Sequence, residues 1–163
     1  SILRRHKAQV NVYIDGVAAS IASLIAMAGD KVIMPENAMM MIHNPWTYAE
    51  GNANEFRKLA DDLDKIRDSM IVAYQNKSGL KKDEVIKIMD AETWLTAEKC
   101  KEYGFADEIE EAKQVSACVD KKYLAIYKNI PEKFKKLAEP PDEGVKNSES
   151  ELKKKKLLLE LEL

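Results

Sequence analysis

Short apolar runs separated by turn residues open the chain. Apolar and polar side chains alternate over residues 9–14, and Asp15-Gly16 ends this run, which predicts a strand followed by a turn. Residues 18–28 are apolar and rich in alanine, which predicts a buried helix that ends at Gly29. The chain therefore enters a strand and then a helix within its first thirty residues.

Two more apolar runs predict strands at residues 31–34 and 38–42. His43 follows the second of these strands directly, and Asn44-Pro45 then favours a loop because the residue before proline avoids helical backbone. His43 is therefore expected at a strand end that faces a loop.

A single apolar stripe predicts a long helix over residues 53–76. Asn52 followed by Glu55 resembles a capping box at its start. The stripe recurs at spacings of three and four and consists of Phe56, Leu59, Leu63, Ile66, Met70 and Ala73.

Shorter elements follow the long helix. The pattern predicts helices at residues 82–89 and 97–103, the second capped by Thr96 and ended by Gly104, and a strand at 105–109. Strands that alternate with helices predict an α/β domain with short strands and helical crossovers.

The character of the chain changes after residue 112. Residues 113–163 carry more charge, three prolines and a lysine- and leucine-rich end, which predicts a carboxy-terminal appendage that is partly helical or disordered. Residues 1–112 are predicted to form the folded domain. The chain begins without methionine, in what reads as the tail of a helix, and we expect further sequence upstream.

Composition narrows the function classes. The chain has 163 residues, of which 33% are charged. Acidic and basic residues nearly balance, with a net charge of −2, and the lack of a basic excess argues against a dedicated nucleic-acid partner. No run reaches membrane-spanning length and no signal peptide is visible, so we expect a cytoplasmic protein without a membrane partner. Cys100 and Cys118 have no metal-binding spacing and predict neither a metal site nor a disulfide framework.

Ser20 is a candidate nucleophile because it follows a strand and a glycine at the predicted start of an apolar helix. The amino end of a helix favours developing negative charge, and the small residues Gly16, Ala18 and Ala19 let a substrate backbone approach. Taken alone, a serine at this place is more often an ordinary helix cap.

His43 is the candidate base for that serine, because a neutral imidazole removes a hydroxyl proton near pH 7. His6 lies in a basic segment and is expected to be solvated. Asp90 and Glu92 are both candidates for the carboxylate that orients the imidazole. The residues alone do not choose between them, and a solvated turn explains either one equally well.

Three motifs resemble the ClpP family of caseinolytic serine peptidases. They are Gly16–Ala22 around the serine, Met40–Pro45 around the histidine, and the segment from Glu92-Thr93-Trp94-Leu95-Thr96-Ala97 to Asp107. Together they span residues 10–110. The resemblance implies a ClpP/crotonase-like α/β fold with a long, handle-like helix.

The resemblance also implies roles for individual residues. Ser20 becomes the nucleophile and His43 the base, and the family's aspartate position falls on Glu92, with Asp90 as the fallback. The Ile21 backbone N–H becomes one oxyanion donor, while the family's glycine-rich loop would precede Ser1. The implied hydrolysis needs no cofactor, neither zinc nor nucleotide.

The implied partners are a polypeptide substrate and further copies of the chain in a ring. Residues 44–76 match the loop and helix that join paired rings in this family, although a helix packed on its own sheet explains them equally well. Nothing in the residues implies the family's ATPase partner. Asn44-Pro45-Trp46-Thr47 and Ala91–Ala97 resemble phage and prophage members, which are linked to capsid or scaffold processing.

Two other functions remain open from the sequence. A crotonase-like acyl-CoA enzyme has a similar fold but does not need a serine–histidine pair. A non-catalytic assembly protein is favoured by glutamate at the acidic position and by the missing upstream loop. The distance between Ser20 Oγ and His43 Nε2 discriminates between catalytic and non-catalytic hypotheses.

Overall fold

The computed structural model describes residues 2–112, 126–132 and 134. These residues fall into two compact units: residues 2–112 with Tyr127–Ile130 form the first, and the other described residues belong to the second. The predicted appendage at 113–163 lies mostly outside the described residues, so the predicted boundary at residue 112 stays a prediction. Its members Tyr127–Ile130, however, belong to the first unit.

The first unit contains six strands and four α-helices among the described residues. In chain order they are β1 (Asn11–Tyr13), β2 (Val17–Ala19), α1 (Ile21–Ala26), β3 (Lys31–Pro35), β4 (Met39–Ile42), α2 (Ala53–Ser78), α3 (Lys82–Asp90), β5 (Thr93–Thr96), α4 (Ala97–Glu102) and β6 (Glu108–Glu110). This mixed α/β architecture agrees with the predicted fold class.

The strands form two three-stranded sheets. In one, β1, β3 and β6 are parallel, with β3 in the centre. In the other, β4 lies between β2, which is parallel to it, and β5, which is antiparallel. All four side chains of β4 are buried, which explains its uninterrupted apolar sequence, since a strand covered on both faces has no reason to alternate.

The helix predicted over residues 18–28 is wrong at its start. Residues Val17–Ala19 form strand β2, which pairs in register with Met39–Met41, and the helix begins only at Ile21. Alanine favours a helix, but the backbone hydrogen bonds to β4 outweigh that weak local preference.

Strand β5 was not predicted from the sequence. The last strand, β6, was predicted at residues 105–109 but is shorter. The backbone N–H groups of Phe105 and Ala106 both donate to the carbonyl oxygen of Cys100, at 2.8 and 3.1 Å. These two residues therefore satisfy the end of α4 instead of entering the sheet. The strand begins only at Glu108.

Helix α2 has the predicted capping box at Asn52 and ends at Gly79, whose φ of 75° is left-handed. Only the carboxy-terminal half of α2 is buried, through Met70, Ile71 and Tyr74. Nearer the amino end of the helix, Phe56 and Ile66 of the predicted stripe are exposed, and Leu59 and Leu63 are half-buried. The carboxy-terminal part of α2 therefore packs on its own domain, whereas apolar side chains nearer its amino end remain exposed.

Candidate active site

Ser20 lies between β2 and α1, where the backbone turns sharply. Its backbone angles, φ 57° and ψ −123°, are unusual for a residue with a side chain, and it occupies the cap position before α1. Its N–H donates to the carbonyl oxygen of Met41 at 3.0 Å, which continues the pairing of β2 with β4 by one residue. Such strained conformations are held only where the surroundings determine them, and they cluster at functional sites.

His43 follows the neighbouring strand β4, so it comes to the same edge of the sheet as Ser20. The carboxyl ends of parallel strands meet at one edge, and β2 and β4 are parallel neighbours. His43 Nε2 lies 2.7 Å from Ser20 Oγ, within hydrogen-bond distance. The structure thus brings the candidate serine and histidine into contact, whereas His6 is exposed and its Nδ1 accepts the N–H of Ala8.

Burial keeps the imidazole neutral. His43 is only 7% exposed, and this desolvation lowers its pKa below the ordinary value of 6.5, while the negative charge of Glu92 opposes the shift by raising the pKa. The net direction is downward. A neutral imidazole whose Nε2 accepts the Ser20 proton is the form that general-base catalysis requires.

The Glu92 carboxylate is held by a segment far along the chain. Glu92 Oε1 accepts hydrogen bonds from the backbone N–H groups of Lys128 and Asn129, the second at 3.0 Å. The Asn129 side-chain amide donates to the carbonyl oxygen of Ala91 at 2.8 Å. Glu92 itself has a left-handed φ of 47°, so this turn is fixed from both its backbone and its side chain.

Asp90, the fallback carboxylate, accepts a hydrogen bond from the side-chain amide of Asn44 at 2.8 Å. Within the described residues, neither Asp90 nor Glu92 is hydrogen-bonded to the His43 imidazole. Of the two, Glu92 is the one whose charge acts on the His43 pKa. The identity of a third triad member therefore stays a prediction.

The Ile21 N–H points to no acceptor among the described residues, as is usual for the first residue of a helix. It directly follows Ser20, and the Ile21 side chain is exposed. Its role as an oxyanion donor stays a prediction.

Sequence reasoning missed the aromatic neighbour of His43. The Tyr127 ring lies edge-on to the imidazole, with 5.6 Å between centroids, and edge-on to Trp94 at 6.0 Å. Tyr127 falls in the segment that was predicted to be an appendage, and no periodicity or motif marks it as part of the site. Only the packing of the folded chain reveals it.

Metal ligands, membrane-spanning helices and thiols are the other features of interest in the part of the chain that the structure describes. It contains no cluster of three or more metal-ligating side chains, and none of its helices is long and apolar enough to cross a membrane. Cys100 is buried, which raises its pKa to about 12 and makes it an inert thiol at neutral pH. Cys118 lies outside the described residues.

Comparison with known proteins identifies relatives. A family model described as Clp protease matches residues 1–113. Two curated proteins from two strains of Bacteroides fragilis, each described as an ATP-dependent Clp protease proteolytic subunit, are 34% identical over 97 residues. The match covers 58% of this chain and 46% or 44% of the relatives, so the chain spans less than half of their length.

Proposed function

The chain belongs to the Clp protease family, and from that premise we propose that it is a serine endopeptidase with Ser20 as nucleophile and His43 as general base. The observation that carries the proposal is the 2.7 Å contact between Ser20 Oγ and His43 Nε2. Burial of a neutral imidazole and the strained Ser20 backbone support it further.

The reaction proceeds through an acyl-enzyme. Ser20 Oγ attacks the carbonyl carbon of a peptide bond while its proton passes to His43 Nε2. The tetrahedral intermediate collapses when His43 returns that proton to the leaving amine. A water molecule then repeats the two steps with His43 again as base, which releases the acid product and restores Ser20.

Two groups stabilise the charges that develop. The Ile21 N–H donates to the oxyanion, and loss of one such donor costs about 10²–10³ in rate in comparable enzymes. The Glu92 carboxylate stabilises the imidazolium through its charge, which is the direction of its effect on the His43 pKa. Asp90 is the alternative for this second role.

The substrate is a polypeptide and the active form is a ring of several copies of the chain. Support for assembly comes from α2, whose apolar stripe is exposed at Phe56 and Ile66 although Met70, further along the same stripe, is buried. Uncovered apolar surface of this kind is typical of a protein interface.

A narrower proposal concerns the biological substrate. The residues of Asn44–Thr47 and Ala91–Ala97 resemble phage and prophage members, which supports a role in processing capsid or scaffold proteins. Faster cleavage of a phage scaffold protein than of unfolded casein would support this role, and equal rates would contradict it.

Cleavage of an unfolded polypeptide tests the endopeptidase proposal. We expect the full chain to release new peptide ends from denatured casein, detected by mass spectrometry, and the Ser20→Ala variant to release none. Ser69→Ala is the matched control, because it also removes a serine hydroxyl but from the exposed surface of α2. Cleavage that persists in Ser20→Ala would contradict the proposal.

A further inference from the structure

A buried chain of hydroxyl groups connects the long helix α2 to the backbone of the nucleophile. The Ser23 hydroxyl donates to the carbonyl oxygen of Ser20 at 2.6 Å, and the Tyr74 hydroxyl lies 2.8 Å from Ser23 Oγ. The side chains of Ser23 and Tyr74 are both fully buried, with 0% exposure. None of the three motifs around the catalytic pair explains this connection.

The direction of the hydrogen bonds follows from counting protons. A serine hydroxyl has one proton, and Ser23 gives it to the Ser20 carbonyl, which can only accept. The Tyr74 hydroxyl must therefore donate to Ser23 Oγ. Burial raises the Tyr74 pKa to about 12, so the phenol keeps that proton at neutral pH.

This chain of hydroxyl groups ends at the carbonyl oxygen of Ser20, a residue with an unusual backbone conformation. Ser20 has a left-handed φ of 57°, a conformation that persists only where the surroundings hold it. On one side its N–H is bound to Met41, and on the other its carbonyl accepts from the N–H and the hydroxyl of Ser23. Holding both peptide groups fixes the direction in which the Ser20 side chain leaves the backbone, toward His43.

We propose that Ser23 and Tyr74 are positioning residues, which hold the Ser20 backbone in the conformation that presents Oγ to His43. The inference rests on the proposed function, since it assigns these hydroxyls a part in the reactivity of Ser20. It also makes α2 a mechanical support of the site, because Tyr74 lies on that helix. A purely structural role would instead affect the stability of the fold and leave the reactivity of folded molecules unchanged.

Fluorophosphonate labelling of the full chain separates the two roles. The variants are Ser23→Ala, Tyr74→Phe and the double variant. For each one, four quantities are measured: the maximal labelling rate constant, the half-saturating probe concentration, the pH of half-maximal rate and the melting temperature. Removing a hydroxyl from a serine or tyrosine elsewhere gives the matched controls, Ser69→Ala on the exposed face of α2 and Tyr103→Phe.

The positioning role predicts that Ser23→Ala lowers the maximal labelling rate by about threefold to tenfold, the range of one lost hydrogen bond. Half-saturation and the pH of half-maximal rate stay unchanged, because neither the probe site nor His43 is altered. Tyr74→Phe gives a smaller loss in the same direction. The double variant keeps the loss while its melting temperature stays near that of the wild type, since both partners of a buried bond are removed together.

If the wild type is labelled and the double variant is labelled at the same maximal rate, the inference is wrong and the proposed function still stands. If the double variant does not fold, an unchanged rate in Ser23→Ala overturns the inference in the same way. A folded wild-type chain that is not labelled at all contradicts the proposed function itself, and the inference falls with it.

Discussion

Ser20 and His43 approach each other because two adjacent parallel strands deliver them to one edge of a sheet. The register pairs Ala19 with Met41, so Ser20 is the first residue after β2 and His43 is the first residue after β4. The sharp backbone turn at Ser20 then directs Oγ toward Nε2. The contact between the two side chains therefore follows from strand register and from one residue with an unusual backbone conformation.

The buried imidazole predicts a definite dependence on pH. Only neutral His43 acts as a base, and its pKa is lowered from 6.5. The rate of Ser20 labelling by a fluorophosphonate should therefore rise with pH, reach half its maximum below pH 6.5, and level off to a plateau by about pH 8. A half-maximal rate above pH 6.5 would contradict the lowered pKa.

Isosteric substitutions decide between the two candidate carboxylates. Glu92 raises the His43 pKa, so Glu92→Gln should move the half-maximal rate to lower pH and reduce the plateau. Asp90→Asn should leave the profile in place, because Asp90 interacts with Asn44 instead. The reverse outcome, a shift with Asp90→Asn alone, would make Asp90 the third member of the site.

The sequence predicted only one of the three strands in the sheet that carries the site, β4, and it missed β2 and β5. Apolar runs and turn residues located β1, β3, β4 and the capping box of α2 without further information. The start of α1 was wrong because pairing between distant strands outweighed local propensity. The short strand β5 and the contacts of Tyr127 depend on tertiary packing, which no local pattern encodes.

Two glycines with the same backbone conformation give a matched test of packing between elements. Gly79 and Gly104 end α2 and α4 with φ of 75° and 76°. A Cβ at Gly79 meets nothing within 4 Å, whereas one at Gly104 lies 2.8 Å from the carbonyl oxygen of Ser78. Both alanine variants suffer the left-handed penalty of about 1–2 kcal/mol, but only Gly104→Ala adds a clash with backbone.

We therefore expect urea denaturation to give a clearly larger loss of unfolding free energy for Gly104→Ala than for Gly79→Ala, by about 1–3 kcal/mol. Equal losses would mean that α4 does not abut the end of α2 as closely as the structure indicates.

For the molecule as a whole, the exposed apolar side chains on the stripe of α2, Phe56 and Ile66, are the observation behind the assembly proposal. The predicted stripe was read from periodicity alone, but periodicity could not tell that only Met70 and its neighbours would be covered within the chain. The sequence left two alternatives for this helix, contact with another ring or packing on its own sheet. In the structure, the side chains of α2 that are buried within the chain all lie toward its carboxy-terminal end. Resemblance to a ring-forming family supplies the rest of the assembly proposal.

Substitutions on that stripe test the assembly proposal. Phe56→Ser and Ile66→Ser should lower the mass of the assembled protein, measured by light scattering during size-exclusion chromatography, without lowering the melting temperature of the monomer. Val72→Ser is the control, because Val72 is equally exposed on the same helix but lies off the stripe. A mass that stays unchanged in the stripe variants would contradict an interface on this face.

Active-site labelling shows directly whether Ser20 is a nucleophile activated by His43. The full chain is treated with a fluorophosphonate, and the adduct is located by intact-mass and peptide mass spectrometry. We expect one adduct, on Ser20, that is lost in His43→Ala while the variant remains folded. If folded wild-type protein forms no adduct, or if His43→Ala is labelled equally well, then Ser20 is not a nucleophile activated by His43.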